Sequence, residues 1–240
     1  MKVRSIYSPN FNKKRRSYKS IKFLIIHYTG MQSERESIIK LCNSKSKVSS
    51  HFVINQKGKI YRLVQDNQIA WHAGKSCWGK YKNLNKTSIG IELVNKGHKF
   101  GYTNFKKKQL SSLIKICKNL IRKYRIKKQN IVGHSDVAPL RKIDPGEKFP
   151  WKELAYEKIG IWHNYKTKYL VKFRQVKISN KSKTQFINEL KKIGYCFNNK
   201  KKANSLKTIK AFQRHYRKEL INGIIDKECL IIAKNISKKI

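Results

Sequence analysis

A regular alternation of buried strands and amphipathic helices, which stops at about residue 155, is the feature that most restricts the fold of this chain. The run IKFLIIHYTG predicts a buried strand from Ile21 to His27, closed by a Thr-Gly turn. Ser33 and Glu36 form a capping-box pattern, which predicts that a helix starts there. The stretch HFVINQKGKIYRLV predicts a hairpin around a Lys-Gly turn, and SIGIELVN predicts another strand.

The strongest helical pattern lies in the middle of the chain. Apolar residues recur there every three or four positions over about four turns, and lysines fill the other face. The NIVGH stretch that follows predicts a short strand. This order of elements predicts an α/β (α+β) fold with a mixed central sheet flanked by helices. The apolar positions of the helix are Leu110, Leu113, Ile114, Cys117, Leu120, Ile121 and Tyr124.

The pattern changes at about Tyr165, after which helical spacing dominates. Three apolar clusters predict three short helices, and therefore a small C-terminal three-helix bundle. We expect a basic N-terminal extension (1–19), a main domain (20–164), a linker (165–180), with strand as the alternative for part of it, and a helical module (181–240). The clusters are Phe186, Leu190 and Ile193; Leu206, Ile209, Phe212 and Tyr216; and the INGIIDKECLIIAKNI stretch.

The net charge of +44 at pH 7 bears on the partners of the chain. A polyanion partner, such as nucleic acid or an anionic envelope polymer, is one explanation. Drift towards A/T-rich codons is the other, because Lys far outnumbers Arg and because Asn and Ile are abundant. Arg residues interleaved with aromatic residues are sparse, so we expect no specific nucleic-acid partner. We expect the chain to be a monomer.

Membrane and disulfide signals are both weak in this sequence. No run of about 18 apolar residues occurs, so we expect no transmembrane segment. The start, MKVRSIYSPNFNKKRRSYKS, lacks the apolar stretch of a secretory signal. The five cysteines are scattered and form no C-x-x-C pair, so we expect neither a disulfide framework nor a cysteine-based zinc finger. Cys117 lies on the apolar stripe of its helix and is expected to be a small core residue.

The stretch VGHSDVAPLRKIDPG gathers carboxylates beside a histidine. His134 and Asp144 lie about ten residues apart, and a Pro-Gly turn lets them converge. Zinc binds histidine nitrogens and carboxylate oxygens, and a catalytic zinc site keeps one position open. A third ligand must then come from another strand end. His27 is the best placed, because it ends a buried strand and a tight turn follows it; the other candidates are His51, His72 and His98.

Structural roles are the alternatives for the same residues. A histidine at the end of a strand is more often a hydrogen-bonded structural residue than a ligand. Asp144 precedes a proline and can be a turn residue alone, and we expect Asp136 to form an Asx-type turn before Pro139. Glu92 interrupts an otherwise apolar strand. It either faces solvent or lines a cleft, where it can act as a general base next to a metal.

Five separated blocks of the sequence carry a family resemblance. They are FLIIHYTG, SSHFVINQKGKIYRLV, AWHAGKSCWG, NKTSIGIELVN and VGHSDVAPLRKIDPG, and they span about residues 20–155. Together, and in this order, they resemble family 2 N-acetylmuramoyl-L-alanine amidases, the zinc amidases of the AmpD and AmiD type. The C-terminal segment, with AFQRHY and GIID, is similar to small three-helix peptidoglycan-binding modules. AmiD-type enzymes carry such a module, so the resemblance points to the AmiD branch.

The resemblance implies a role for each matching residue. His27, His134 and Asp144 match the three zinc ligands, which implies one Zn²⁺ per chain. Glu92 matches the catalytic acid/base, and Lys142 matches the cationic group that steadies the developing oxyanion. The walls of the substrate groove are matched by His51, Trp71, His72, Ala73 and Gly74.

The implied activity is hydrolysis of the amide between the lactyl group of N-acetylmuramic (or anhydro-muramic) acid and L-alanine of peptidoglycan stem peptides. Residues 20–164 would then be a zinc amidase catalytic domain, and 181–240 a peptidoglycan-binding-like module. A non-catalytic peptidoglycan-recognition protein is the alternative, against which the presence of every ligand argues. Leu140 replaces a Gly that many relatives carry, and we expect it to alter only the loop shape. Without a visible signal we expect a cytoplasmic location by default, with the cell envelope or periplasm as the alternative.

Overall fold

The computed structural model describes residues 2–197 and 202–240, so residues 198–201 of the predicted helical module lie outside the described part. The strands among the described residues are β1 (Val3–Ser5), β2 (Phe11–Asn12), β3 (Phe23–Tyr28), β4 (Phe52–Ile54), β5 (Ile60–Arg62), β6 (Ile69–Ala70), β7 (Cys77–Trp78), β8 (Tyr81–Lys82), β9 (Ser88–Leu93) and β10 (Ile131–Gly133). The α-helices are α1 (Glu34–Cys42), α2 (Lys107–Tyr124), α3 (His134–Val137), α4 (Trp151–Tyr156), α5 (Thr167–Leu170), α6 (Asn180–Ile193), α7 (Lys202–Tyr216) and α8 (Lys227–Ser237).

Six strands form one mixed sheet in the order β1-β5-β4-β9-β3-β10. β4 and β5 are antiparallel and form the predicted hairpin, whereas the other neighbours are parallel. The predicted mixed sheet flanked by helices is confirmed. The segment 1–19, predicted to be an extension, supplies β1 to this sheet and β2 to a short pair with β6. The N-terminal segment therefore belongs to the folded sheet region.

The helix cap, the apolar helix and the hairpin turn predicted from local sequence patterns are all present in the structure. The Ser33 hydroxyl accepts a hydrogen bond from the Glu36 backbone N–H at 3.1 Å and caps α1. α2 buries Leu113, Cys117 and Leu120 of its predicted apolar stripe, and the other four stripe residues are partly buried. In the β4–β5 hairpin, Gly58 has a φ of 82°, and a Cβ there would lie 2.6 Å from the Lys108 carbonyl oxygen. Only glycine fits this turn without displacing the backbone of α2.

Successive side chains of β3 point to opposite faces of the sheet, and each face is covered. Leu24 and Ile26 belong to a core that includes α2, which lies on one face. Phe23 and Ile25 belong to a second core on the other face, which is continuous with buried residues of α6, α7 and α8 such as Phe212. The C-terminal helices therefore complete the core on one side of the sheet.

Parallel pairing brings three strand ends to one edge of the sheet. His27 of β3 lies opposite Glu92 of β9, and Gly133 of β10 lies opposite Ile26. His134 directly follows β10. Open sheets present functional groups where parallel strands end, so this edge is where a site is expected.

The three predicted C-terminal helices are present as α6, α7 and α8, with Phe186 of α6 packed edge-on against Phe212 of α7. The segment 165–180 contains α5 and a short 3₁₀ helix at Val171–Phe173, and no strand is assigned within it. The domain boundaries drawn at residues 164 and 180 stay predictions. In the described part of the chain, no helix combines the length and the apolar composition that a membrane span needs.

A disulfide joins Cys77 of β7 to Cys196, which lies just after α6, across 119 residues of sequence. The remaining cysteines, Cys42, Cys117 and Cys229, are free. The expectation of no disulfide framework is therefore wrong for this one pair. The spacing of the cysteines in the sequence did not predict this bond, because the two sulfurs meet only when the C-terminal helices pack beside the β7–β8 hairpin.

Candidate active site

The edge of the sheet where β3, β9 and β10 end carries a compact group of polar side chains. His27 lies near the end of β3, His134 is the first residue of α3, and Asp144 lies in the loop before α4. This loop is tied to α3, because the Ser135 N–H donates to the Asp144 carbonyl oxygen at 2.8 Å. The two histidines and the aspartate are at most 7 % exposed, so bulk water is largely excluded from the group.

These three side chains direct one atom each at a common point. His27 Nδ1 lies 2.9 Å from His134 Nδ1, and each nitrogen lies 3.1 Å from Asp144 Oδ2. The structure therefore brings together the three residues that the sequence predicted as ligands, in an arrangement that can hold a metal ion.

Hydrogen bonding fixes which nitrogen of His134 carries the proton. Nε2 lies 3.2 Å from the Ala73 carbonyl oxygen, which can only accept. Arg141 lies 3.4 Å from the same nitrogen and donates to the same carbonyl, so the oxygen takes both protons. In the neutral ring the proton is on Nε2, and Nδ1 presents a lone pair to the common point.

A chain of three hydrogen bonds determines which ring nitrogen of His27 carries the proton. The Ser88 hydroxyl donates to the Leu84 carbonyl oxygen at 2.6 Å, so it accepts from His72 Nε2 at 3.1 Å. His72 Nδ1 is then unprotonated and accepts from His27 Nε2 at 3.0 Å. Gly90 makes room for this ring, because a Cβ there would lie 2.5 Å from the His72 Cγ. Nδ1 of His27 is thus left with a lone pair.

Burial and a neighbouring histidine favour the deprotonated ring of His27. Burial first, and then the neighbouring His134, lower the pKa of His27 to about 4. Two nitrogen lone pairs and a carboxylate oxygen at this spacing repel one another unless a cation lies between them. The group is therefore a candidate metal centre.

Glu92 lies beside His27 on the neighbouring strand and lines the same cavity. Its side chain is buried, and no described residue donates a hydrogen bond to Oε2. Burial first, and the charge of Asp144 second, raise the pKa of Glu92 to about 8, while Lys142 acts to lower it. The solvent-facing alternative is thereby excluded. A carboxyl group with such a pKa can take up and release a proton near neutral pH.

The cavity over this group has a volume of about 360 Å³. Among its described lining residues, the acidic side chains are Glu92 and Asp144, and cationic side chains outnumber them. Such a lining favours an anionic ligand. The cationic lining residues are Lys40, Lys96, Lys99, Arg141 and Lys142.

The residues predicted as groove walls occupy different places. His72 lines the cavity but lies behind His27, to which its Nδ1 is hydrogen-bonded. His51 does not line it: its ring is fully buried and lies 2.9 Å from the Arg16 guanidinium, which corrects the expectation of a wall contact. Trp71 also lies outside the cavity lining and donates its indole N–H to Asn12 at 2.6 Å.

Ala73 and Gly74 form a turn that supports the ligand loop, by which we mean the loop of residues 138–150 that carries Asp144. Asn85 Oδ1 accepts hydrogen bonds from the three successive backbone N–H groups of residues 72–74. The Arg141 guanidinium donates to the carbonyl oxygens of residues 73 and 75, and so ties the ligand loop to this turn. Sequence reasoning missed both Asn85 and Arg141. The Arg-Lys pair before the aspartate of VGHSDVAPLRKIDPG was the available signal for Arg141.

Asp136 does not form the expected Asx-type turn. Its Oδ2 accepts the Gly133 N–H at 2.7 Å, which caps the start of α3. The same carboxyl group accepts from Tyr195 and His215 of the C-terminal helical unit. The expectation was wrong because the side chain turns back towards β10 and into the interior, where it meets donors far away in sequence.

Comparison with known proteins assigns this geometry to a family. The family model described as N-acetylmuramoyl-L-alanine amidase matches residues 17–147, which include all three converging side chains and Glu92. The chain belongs to the N-acetylmuramoyl-L-alanine amidase family. N-acetylmuramoyl-L-alanine amidase AmiD of Escherichia coli is 35% identical over 236 residues, 93% of this chain and 84% of AmiD.

A second relative matches less of the chain, and the similarity to AmiD extends to its solved structure. The 1,6-anhydro-N-acetylmuramyl-L-alanine amidase AmpD of Haemophilus influenzae is 33% identical over 167 residues, 62% of this chain and 88% of AmpD. A solved complex of Escherichia coli AmiD with anhydro-N-acetylmuramic acid-L-Ala-D-gamma-Glu-L-Lys superposes with a TM-score of 0.82 at 34% identity, covering 95% of this chain and 93% of that one. The resemblance to AmiD-type amidases, drawn from five sequence blocks, is confirmed, and this amidase is an enzyme.

Proposed function

We propose that this amidase is zinc-dependent and hydrolyses the amide between the lactyl group of N-acetylmuramic or anhydro-muramic acid and L-alanine of peptidoglycan stem peptides. One observation carries the proposal: two imidazole lone pairs and one carboxylate oxygen converge within 3.1 Å in a buried site. The substrate part is supported by the family and by the complex of Escherichia coli AmiD with an anhydro-muramyl tripeptide.

The donor set fits zinc in type and spacing. Zinc takes imidazole nitrogens and carboxylate oxygens at about 2.0–2.2 Å, so ligand atoms of a tetrahedral site lie roughly 3.3 Å apart. The three atoms here lie 2.9–3.1 Å apart, so a small outward shift accommodates the ion. His27, His134 and Asp144 would hold it. Zinc bound there supplies a Lewis acid that lowers the pKa of water towards about 7 and polarises the amide carbonyl.

Glu92 is the proton-transfer group of the proposed mechanism. It accepts a proton from the attacking water and delivers it to the nitrogen of the departing L-alanine. Its burial supports this role, because a carboxyl group whose pKa is raised to about 8 holds a proton long enough to pass it on.

Lys142 is the electrostatic group of the proposed mechanism. Its side chain lines the cavity with Glu92 and Asp144. A positive charge there stabilises the negative charge that develops on the amide oxygen in the transition state. Groups of this kind commonly lower the activation free energy by about 3–4 kcal/mol. The other cations of the cavity support binding of a stem peptide, because the γ-linked glutamyl residue of such a peptide carries a free carboxylate.

The test is incubation of the purified protein with an anhydro-muramyl peptide that begins L-Ala-D-γ-Glu, followed by mass spectrometry. The expected products are a peptide-free sugar and a peptide with a free L-alanine amine, which together contain one more water than the substrate. A substrate that is bound but returned intact would contradict the proposal and identify a recognition protein. Cross-linked peptidoglycan sacculi, assayed in parallel, distinguish an enzyme for the polymer from one for soluble fragments.

We also propose that the enzyme works in an oxidising compartment, such as the cell envelope, rather than in the cytoplasm. The Cys77–Cys196 disulfide supports this location, because the reducing systems of the cytosol keep cysteine pairs as free thiols.

Reduction of this disulfide is expected to lower the free energy of unfolding by about 4–5 kcal/mol, the loop-closure entropy for a link across 119 residues. Urea unfolding with and without reductant measures the change. The double variant Cys77→Ser/Cys196→Ser is expected to match the reduced protein, whereas Cys42→Ser, at a free cysteine, is expected to keep the response to reductant. Five alkylated thiols instead of three in the unfolded, unreduced protein would contradict the bond.

A further inference from the structure

We infer that Asp136 is a positioning residue, through which the C-terminal helical unit (α6–α8 and the residues just after α6) holds the segment that carries His134. The inference rests on the proposed zinc site. Asp136 Oδ2 accepts from the Gly133 N–H and from His215 Nδ1, both at 2.7 Å, and Oδ1 accepts from the Tyr195 hydroxyl at 2.7 Å. One donor thus comes from the strand end at the site, and two come from the helical unit.

Both donors from the helical unit are held by packing. The His215 ring stacks on Trp151, with ring centroids 3.9 Å apart, and is 4 % exposed. Tyr195 is 2 % exposed, and its ring packs against Trp78 with centroids 4.8 Å apart. Neither side chain can turn away without opening the core, so the positions of the two donors are fixed by their surroundings.

The path from Asp136 to the ligand atoms is short. Asp136 and His134 lie in the same turn of α3, and the Asp136 carboxyl group fixes the backbone immediately before His134. A Cβ at Gly133 would lie 2.7 Å from Pro145 Cδ, so this strand end also packs closely on the residue after Asp144. A shift of α3 would therefore change the spacing of His134 Nδ1 and Asp144 Oδ2, on which metal affinity depends.

α7 contacts the ligand loop at two further points. Lys207 Nζ donates to the Leu140 carbonyl oxygen at 3.0 Å, and Arg214 Nε lies 3.9 Å from Glu147 Oε2. Both contacts are more exposed than the fully buried bonds of Asp136, which makes Asp136 the central link. The unit that resembles a peptidoglycan-binding module is thereby also part of the framework of the active site.

Tyr195→Phe tests the inference, because it removes one hydroxyl and keeps the ring. The Zn²⁺ affinity of the folded protein, measured by competition with a chromophoric chelator, is expected to fall about tenfold. Combination with His215→Phe, which keeps a ring on Trp151, is expected to lower it further. Tyr216→Phe is the matched control: Tyr216 is a buried tyrosine of α7 whose hydroxyl donates no hydrogen bond to Asp136 in the described structure, so its removal is expected to leave the affinity unchanged.

Thermal unfolding of the zinc-free proteins separates positioning from general loss of stability. A loss of Zn²⁺ affinity in Tyr195→Phe, at a melting temperature similar to that of Tyr216→Phe, supports the inference. Wild-type affinity in both Tyr195→Phe and the double variant would overturn it and leave the proposed function intact. A wild-type protein that binds no Zn²⁺ would overturn the proposed metal dependence and this inference together.

Discussion

Glu92→Gln is expected to lower kcat for muropeptide cleavage by about 10³-fold while one zinc per chain stays bound. Glutamine has nearly the same shape as glutamate but cannot accept a proton from water, and a positioned general base typically contributes about 10²–10⁴-fold. The zinc content is expected to persist, because Glu92 is not among the three converging ligand side chains. Steady-state kinetics and metal analysis of the same preparation measure both quantities.

Glu153→Gln is the control for this substitution. It removes one carboxylate from α4, but the residue is exposed and does not line the cavity, so kcat is expected to stay near the wild-type value. Near-wild-type cleavage by Glu92→Gln would remove Glu92 from proton transfer. A joint loss of activity and zinc would instead show that Glu92 helps to hold the metal.

Removal of the metal is expected to abolish cleavage, and one equivalent of Zn²⁺ is expected to restore it. The reason is that Glu92 and Lys142 alone do not activate the water and the amide carbonyl. Both need a Lewis acid, which lowers the pKa of the water and polarises the carbonyl. Dialysis against a chelator, titration with Zn²⁺ and an assay of the released peptide measure the effect. Asp144→Ala removes the carboxylate ligand, and its activity is expected to stay lost after zinc is returned.

His98→Gln is the matched control for the metal-binding group. His98 lines the same cavity, but its ring contacts Tyr28 and Glu147 and does not join the three converging donors. One zinc per chain is therefore expected to remain in this variant. Full activity after exhaustive chelation, with metal analysis showing no residual ion, would contradict a zinc-dependent reaction.

The elements that position the site were readable from the sequence because their signals are local. The β3 strand shows as an apolar run closed by Thr-Gly, α1 as a capping box, and α2 as an apolar stripe. Convergence of His27, His134 and Asp144 needed more than spacing, which left structural roles open for each residue. The five sequence blocks predicted these three residues as a set, and the parallel register of β3, β9 and β10 explains why residues so far apart in sequence meet.

The misread features depend on contacts between distant segments. Asp136 shows an ordinary turn pattern in sequence, and its partners Tyr195 and His215 follow it by 59 and 79 residues. The Cys77–Cys196 pair spans 119 residues with no motif at either end. His51 lies in a block that resembles the family, but its buried ring contacts the Arg16 guanidinium and lies outside the cavity lining. No local pattern of residue types encodes any of these contacts.

The core that β3 shares with α6, α7 and α8 limits how the sheet of this enzyme can be fused to another protein. A fusion protein cut after residue 164 would leave Phe23, Ile25 and Val132 without the helices that complete their apolar cluster. An uncovered patch of this kind promotes self-association. A transplantable form of the catalytic half would need either its own helical cover or polar replacements on that face of the sheet.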